Sequence, residues 1–217
     1  MGGRITALKV QEHNKQRVNV FIDDEFALGL SRITAGWLYI GQELSDAKIA
    51  QLQAEDAREI AFQRALHFLE YRQRALSEVR RNLEKHKTPE DVIEDVLERL
   101  KSSGYIDDTR FAQAWIENRS AFRPRSKRAL AVELRQRGLE QETIQNALED
   151  LDEAQEETLA YQAAQKQLRK LAEADLPEFR RKLGNFLARR GFGYGVIRTV
   201  VERTWKELHE NIDDENP

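Results

Sequence analysis

The stretch Leu130-Ala131-Val132-Glu133-Leu134-Arg135-Gln136-Arg137-Gly138-Leu139, followed by Ile144 and Leu148, decides the fold, because its apolar spacing occurs twice more in the chain. Leu134 lies four residues after Leu130, ten before Ile144 and fourteen before Leu148. The same offsets recur around Leu83 (Val79, Ile93, Leu97) and around Leu187 (Leu183, Ile197, Val201), at intervals of 51 and 53 residues and without a gap. Val96, Ala147 and Val200 keep the same phase. Apolar residues at such spacing share one face of a helix. A basic residue or histidine follows each key leucine by three (His86, Arg137, Arg190). In the second and third copies a glycine comes next (Gly138, Gly191), the residue that most easily takes the left-handed conformation that closes a helix. An amphipathic segment precedes each copy, at residues 61–71, 111–119 and 159–171. The unit is therefore three helices, repeated three times. A unit of about 50 residues has a small core of its own, so neighbours must stack. The expected fold is mainly α: three tandem three-helix repeats in an elongated, curved array.

The N-terminal part reads differently. Residues 5–10 are rich in apolar side chains, and Val18, Val20 and Ile22 alternate with Asn19 and Phe21. After Asp23-Asp24, Phe26, Leu28 and Leu30 alternate again. The pattern predicts a β-hairpin with an acidic turn, although Asp-Gly is the stronger pair where a turn needs positive φ. Short helical pieces follow near residues 31–38 and from Ser45, a predicted N-cap. The expected segments are thus a hairpin extension with short helices (1–54), then repeats over 55–107, 108–152 and 153–217, the last ending in an acidic tail. Pro89, Pro124 and Pro177 each fall where a helix should start. At the first, Thr88 is expected to cap the helix and Pro89 to open it.

Composition excludes several classes of function. The 217 residues contain no cysteine and four scattered histidines, which removes disulfides and thiolate chemistry and leaves little for a metal site. No apolar run approaches the roughly 18 residues of a membrane span, and a cytoplasmic location is expected. No phosphate-cradling glycine loop, paired-histidine helix or serine elbow is present, so neither an enzyme nor a cofactor is expected. Residues 190–197 (RGFGYGVI) resemble an RNA-recognition strand, but they fall at a helix junction of the third repeat and are read as a turn.

The segment Gly104-Tyr105-Ile106-Asp107-Asp108-Thr109-Arg110-Phe111-Ala112 resembles the "GYLDDxRFA" signature of the RecX family, bacterial modulators of the recombinase RecA. Glu70-Tyr71-Arg72-Gln73-Arg74 through Leu83 resembles that family's first-repeat motif, and Phe122-Arg123-Pro124-Arg125 through Leu139 its second. Residues 18–31 are similar to the hairpin extension of some members. The chain departs from the family pattern at Ser126, Gln73 and Asp23-Asp24, and the third repeat matches more weakly. The signature also has a structural reading. Gly104 can take left-handed angles, Tyr105 and Ile106 can pack back on the preceding helix, and Asp107 or Asp108 can cap the next helix. Phe111 and Trp115 then begin that helix's apolar face. The resemblance implies a protein that binds RecA filaments on DNA and restrains recombinase, ATPase and co-protease activity, without chemistry of its own.

Charge supplies the candidate surface. The whole chain carries 35 basic and 38 acidic residues, a net charge of −3. Between residues 119 and 137 there are seven Arg or Lys and one acid, Glu133, whereas residues 140–157 hold eight acids and no base. On a helix through residues 126–137, Leu130 and Leu134 face the core and Arg128 and Arg135 share the opposite side. Arg123, Arg125, Lys127, Arg128, Arg135 and Arg137, with Arg189 and Arg190 in the third repeat, are therefore the candidate partner- and DNA-binding residues. The expected partner is the RecA filament on DNA, with direct DNA contact as an addition, no membrane, and a monomeric chain. A helical scaffold for another protein, or a DNA-binding protein acting without RecA, are the alternatives.

Overall fold

The computed structural model describes residues 2–213, with side chains to residue 209. It is mainly helical, with a small antiparallel sheet near the N-terminus, and divides into two compact units, Met1–Ile106 and Asp107–Pro217. Residues 214–217 of the expected acidic tail lie outside the described residues.

In the first unit, β1 (Gly3–Val10), β2 (Arg17–Ile22), β3 (Glu25–Ser31) and β4 (Glu43–Leu44) form one sheet in the order β3-β2-β1-β4. The predicted hairpin is β2–β3, and its turn residues Asp23 and Asp24 have φ of 48° and 68°. Aspartate tolerates this conformation less well than glycine, and β1 holds it in place. The Asp23 N–H donates to the Arg4 carbonyl (2.9 Å), its Oδ1 accepts from the Arg4 N–H (3.1 Å), and the Asp24 N–H donates to Thr6 Oγ1 (2.9 Å). The sheet is thus wider than a hairpin. The two-residue β4 is too short for any alternation to reveal it.

After the short α1 (Arg32–Ala35), Ser45 caps α2 (Asp46–Glu70), its Oγ accepting from the Lys48 N–H at 3.2 Å. This helix serves two cores. Leu52 packs with Ile5, Val20, Leu28 and Leu30 of the sheet, whereas Ala61, Phe62 and Ala65 join the helical core with α3 (Leu76–Lys85) and α4 (Glu90–Ser102). Between them the buried Asp56 accepts from Arg17 Nη2 (3.1 Å) on β2 and from the Ser31 N–H, tying sheet to helix.

The second unit holds α5 (Asp108–Phe122), α6 (Lys127–Gln136), α7 (Gln141–Ala147), α8 (Glu153–Leu171), α9 (Leu176–Arg189) and α10 (Tyr194–Asp213). With α2–α4 these make three three-helix units in series. Leu83, Leu134 and Leu187 are each 0% exposed, as are Val79, Leu130 and Leu183 one turn earlier. Ile93 and Ile144 are buried behind them; Ile197, in the third copy, is only half-buried.

Each middle helix ends in the same way. The N–H five residues after the key leucine returns to that leucine's carbonyl: Thr88 to Leu83 (3.2 Å), Leu139 to Leu134 (3.3 Å), Phe192 to Leu187 (3.3 Å). This closure requires a left-handed residue. Gly138 (φ 79°) and Gly191 (φ 91°) supply it, and in the first copy Lys87 (φ 57°) does so without being glycine. Gly191 is constrained twice, because a Cβ there would lie 2.6 Å from Ser126 Oγ and 2.8 Å from Ala129 Cβ.

Two local expectations need correction. Pro89, not Thr88, is the N-cap of α4, and no side-chain cap bond forms. The Thr88 N–H closes α3, and α4 opens one residue later, with the Ile93 N–H on the Pro89 carbonyl (3.0 Å). Tyr105 does not pack back with Ile106. Ile106 is 4% exposed but Tyr105 is 56% exposed, its ring edge-on to Phe62 at 6.4 Å. Elsewhere in the signature, Gly104 has φ 73°, Asp107 caps α5 through the Arg110 N–H (3.0 Å), and Phe111 stacks on Trp115.

Leu134→Asp should therefore destabilise the protein by about 3 kcal/mol or more, since it puts a charge where nothing can pair with it; an unchanged melting temperature would refute the burial. The two left-handed sites should respond in opposite directions. Lys87→Gly relieves a strained backbone and should raise the urea midpoint slightly, whereas Gly191→Ala should lower stability by about 1–2 kcal/mol from backbone strain alone, with the contact to Ser126 adding to it. Equal shifts of the same sign would contradict this account.

Candidate functional site

The basic block folds into the loop before α6, α6 itself and the C-terminal end of α9, all within the second unit. Ser126 caps α6, its Oγ accepting from the Ala129 N–H at 3.1 Å. That start fixes the helix phase. Leu130 and Leu134 point inward, and Arg128 and Arg135 are exposed on the other side.

The eight candidate side chains separate into two groups. Lys127 and Arg137 are engaged inside the unit. Lys127 Nζ donates to the Leu151 carbonyl (2.9 Å) while its N–H donates to Glu156 Oε1 (2.6 Å), and the Arg137 guanidinium lies 4.5 Å from the centre of the Trp115 ring. Arg125 pairs with Glu133 at 2.9 Å, and Arg190 donates to the Pro124 carbonyl at 2.9 Å. The others face solvent. Arg135 makes a single exposed bond to Gln141 Oε1 (2.9 Å), and the guanidinium groups of Arg123, Arg128 and Arg189 have no hydrogen bond or ion pair among the described residues. A shallow concavity between α6 and the α9–α10 turn is lined by Arg125, Arg128, Gln136, Gly191 and Phe192.

Glu133 is the residue whose part the charge pattern did not reveal. Its carboxylate, 14% exposed, accepts from Trp115 Nε1 (2.8 Å) and Arg119 Nε (2.7 Å) and forms an ion pair with Arg125 (2.9 Å). One acid thereby anchors α5, the loop and α6 together. The available signal was its being the one acid among seven bases. Burial, and then the charges of Arg125 and Arg123, lower the pKa of Arg190 from its ordinary value; the guanidinium nonetheless stays protonated at neutral pH.

Models of four consecutive domains of one family match the chain: the Regulatory protein RecX N-terminal domain over residues 3–45, and the first, second and third three-helix domains of RecX over 61–100, 107–148 and 155–201. The chain belongs to the RecX family. It is 33% identical to the Regulatory protein RecX of Bacillus velezensis, over 97% of this chain and 80% of that one. With the Regulatory protein RecX of Mycolicibacterium smegmatis it shares 40% identity, over 74% of this chain and 84% of the other. In fold it is similar to a crystal structure of regulatory protein RecX (TM-score 0.74, 24% identity, 93% of this chain and 100% of that one). A structure of RecX from Lactobacillus salivarius also matches (TM-score 0.62, 19% identity, 69% and 97%). The RecX domain models meet the basic block in the second three-helix domain, where α5, α6 and α7 lie. Among the described residues of this RecX-family chain, no group of three His, Cys, Asp or Glu could hold a metal ion, and no helix is long and apolar enough to cross a membrane.

Glu133→Leu removes the acceptor of two donors and the ion-pair partner of Arg125 and should lower stability by about 1–3 kcal/mol, read from chemical denaturation. An unchanged midpoint would mean that Arg119, Arg125 and Trp115 find equal partners in solvent.

Proposed function

We propose that this RecX-family protein binds RecA filaments on DNA and modulates RecA, in the direction of inhibiting its recombinase, ATPase and co-protease activities. It acts by binding alone, as a cytoplasmic monomer. The observation that carries this reading is the solvent-facing cationic side of the second unit. Arg123, Arg128 and Arg189 have no acidic partner among the described residues, and α6, which carries Arg128, is anchored to the core by the buried Leu130 and Leu134. Unpaired arginines with rigid backbone support suit carboxylates of a protein surface and phosphates of a nucleic acid, and a RecA–DNA filament presents both. A regulator of this kind works by preferring one filament state over another, so that its differential affinity shifts the population of active filament.

Arg128→Glu with Arg135→Glu should leave circular dichroism and melting temperature nearly unchanged, because neither side chain enters the core. Binding to RecA–DNA filaments should weaken by about 1–3 kcal/mol, and the loss should shrink at high salt, where screening has already weakened those contacts. A double variant that binds and inhibits like wild type at low salt would remove this face from the interface. A fall in binding to naked DNA alone, with filament binding kept, would make this face an auxiliary DNA contact.

A further inference from the structure

Arg190 joins two segments that are distant in sequence. From the C-terminal end of α9 its Nη1 reaches the Pro124 carbonyl (2.9 Å), and its own carbonyl accepts from the Ser126 N–H (3.2 Å). Pro124 separates Arg123 from Arg125, so one guanidinium is fixed on the peptide between two other arginines. The Phe186 ring, 4.5 Å from the Arg190 guanidinium carbon, supports it from one side. Pro124 is itself buried and fixes the loop backbone. A backbone bond and a ring thus hold the Arg190 guanidinium, Glu133 holds Arg125, and the exposed Arg123 leaves the same loop one residue before Pro124. One carboxylate, Glu133, is paired with the group, on Arg125, and that carboxylate is shared with Arg119. Among the described residues, neither Arg123 nor Arg190 has a carboxylate partner. The lowered pKa of Arg190 agrees with cations gathered and partly desolvated.

Like charges assembled this way are relieved by an anion with oxygens pointing in several directions. The cations come from two separate segments, the loop and α9, joined at the Pro124 carbonyl. That suits the tetrahedral oxygens of a phosphate better than a planar carboxylate, which one fork satisfies. We propose that Arg123, Arg125 and Arg190 form a seat for one backbone phosphate of DNA. The seat presupposes that the basic side of the second unit is the one that faces the filament, and it specifies that this corner meets the nucleic acid, whereas Arg128 and Arg135 remain available for protein carboxylates.

The test uses the full chain and a fluorescent oligothymidylate without RecA, with affinity followed by anisotropy over a range of salt. Each contact to a single-stranded phosphate contributes about 0.7 to the slope of log affinity against log salt. Arg123→Gln, at an exposed position that bears no part of the fold, should bind several-fold more weakly at low salt and flatten the slope by about 0.7. Arg190→Lys keeps the charge but loses the planar fork; it should weaken binding while the slope stays near that of wild type. An unchanged slope for Arg123→Gln, or an Arg190→Lys variant that binds like wild type, would overturn the seat. The same Arg123→Gln variant on RecA–DNA filaments separates the two readings. Weaker filament binding with an unaltered naked-DNA slope overturns the phosphate seat and leaves the filament reading standing. A flattened naked-DNA slope with unaltered filament binding supports the seat and counts against this corner as part of the filament interface.

Discussion

Everything in the repeats depends on stopping the middle helix within one turn of its buried leucine. Four residues join α3 to α4, α6 to α7 and α9 to α10. In that length the chain must reverse and return the next helix's apolar stripe to the same core. A left-handed residue four positions after the leucine does this, and the returning N–H satisfies a carbonyl that would otherwise be orphaned at the helix end. The side chain of the residue carrying that N–H is buried where it is apolar: Leu139 is 5% and Phe192 4% exposed. The first repeat meets the constraint without glycine or an apolar residue, through Lys87 and Thr88, which shows that the backbone geometry is the invariant and the residue type its usual means.

This explains what was legible in the sequence. The key leucines, their offsets and the closing glycines are local features with a fixed period, so three repeats of three helices could be read directly. The hairpin was legible because alternation is local as well. The wider sheet was not, because β4 pairs with Gly3 and Arg4 across about forty residues of chain and contributes only two residues. The role of Thr88 was misread for a related reason. A threonine before a proline looks like a cap, but Thr88 belongs to the closure of the preceding helix and no side-chain cap bond forms, which no pattern along the α4 segment displays.

The candidate site shows a sharper limit. Phase along α6 correctly separates Leu130 and Leu134 from Arg128 and Arg135, since both follow from one helix and its cap. Charge density does not tell which cations are available. Lys127, Arg137, Arg125 and Arg190 are each turned to a carbonyl, a ring or Glu133. Those partners lie on other segments of the chain, up to 66 residues away for Arg190 and Pro124. Availability is a tertiary property, and the sequence records only the count.

The first repeat provides the control for this distinction. Arg72 and Arg74 stand 51 residues before Arg123 and Arg125, in the same loop before the same middle helix. Both are engaged within the first unit. Arg72 forms a two-pronged pair with Glu78 (3.0 and 3.2 Å), and Arg74 donates to the Phe68 carbonyl (2.8 Å) with its guanidinium carbon 3.6 Å from that residue's ring centre. In the second repeat the position equivalent to Glu78 is Ala129, so Arg123 lacks the acid that Arg72 has. Two copies of one Arg-x-Arg pattern therefore have different electrostatic outcomes, set by a single residue six positions downstream. What leaves cations unpaired in the second repeat is less the arginines it has than the carboxylate it does not have.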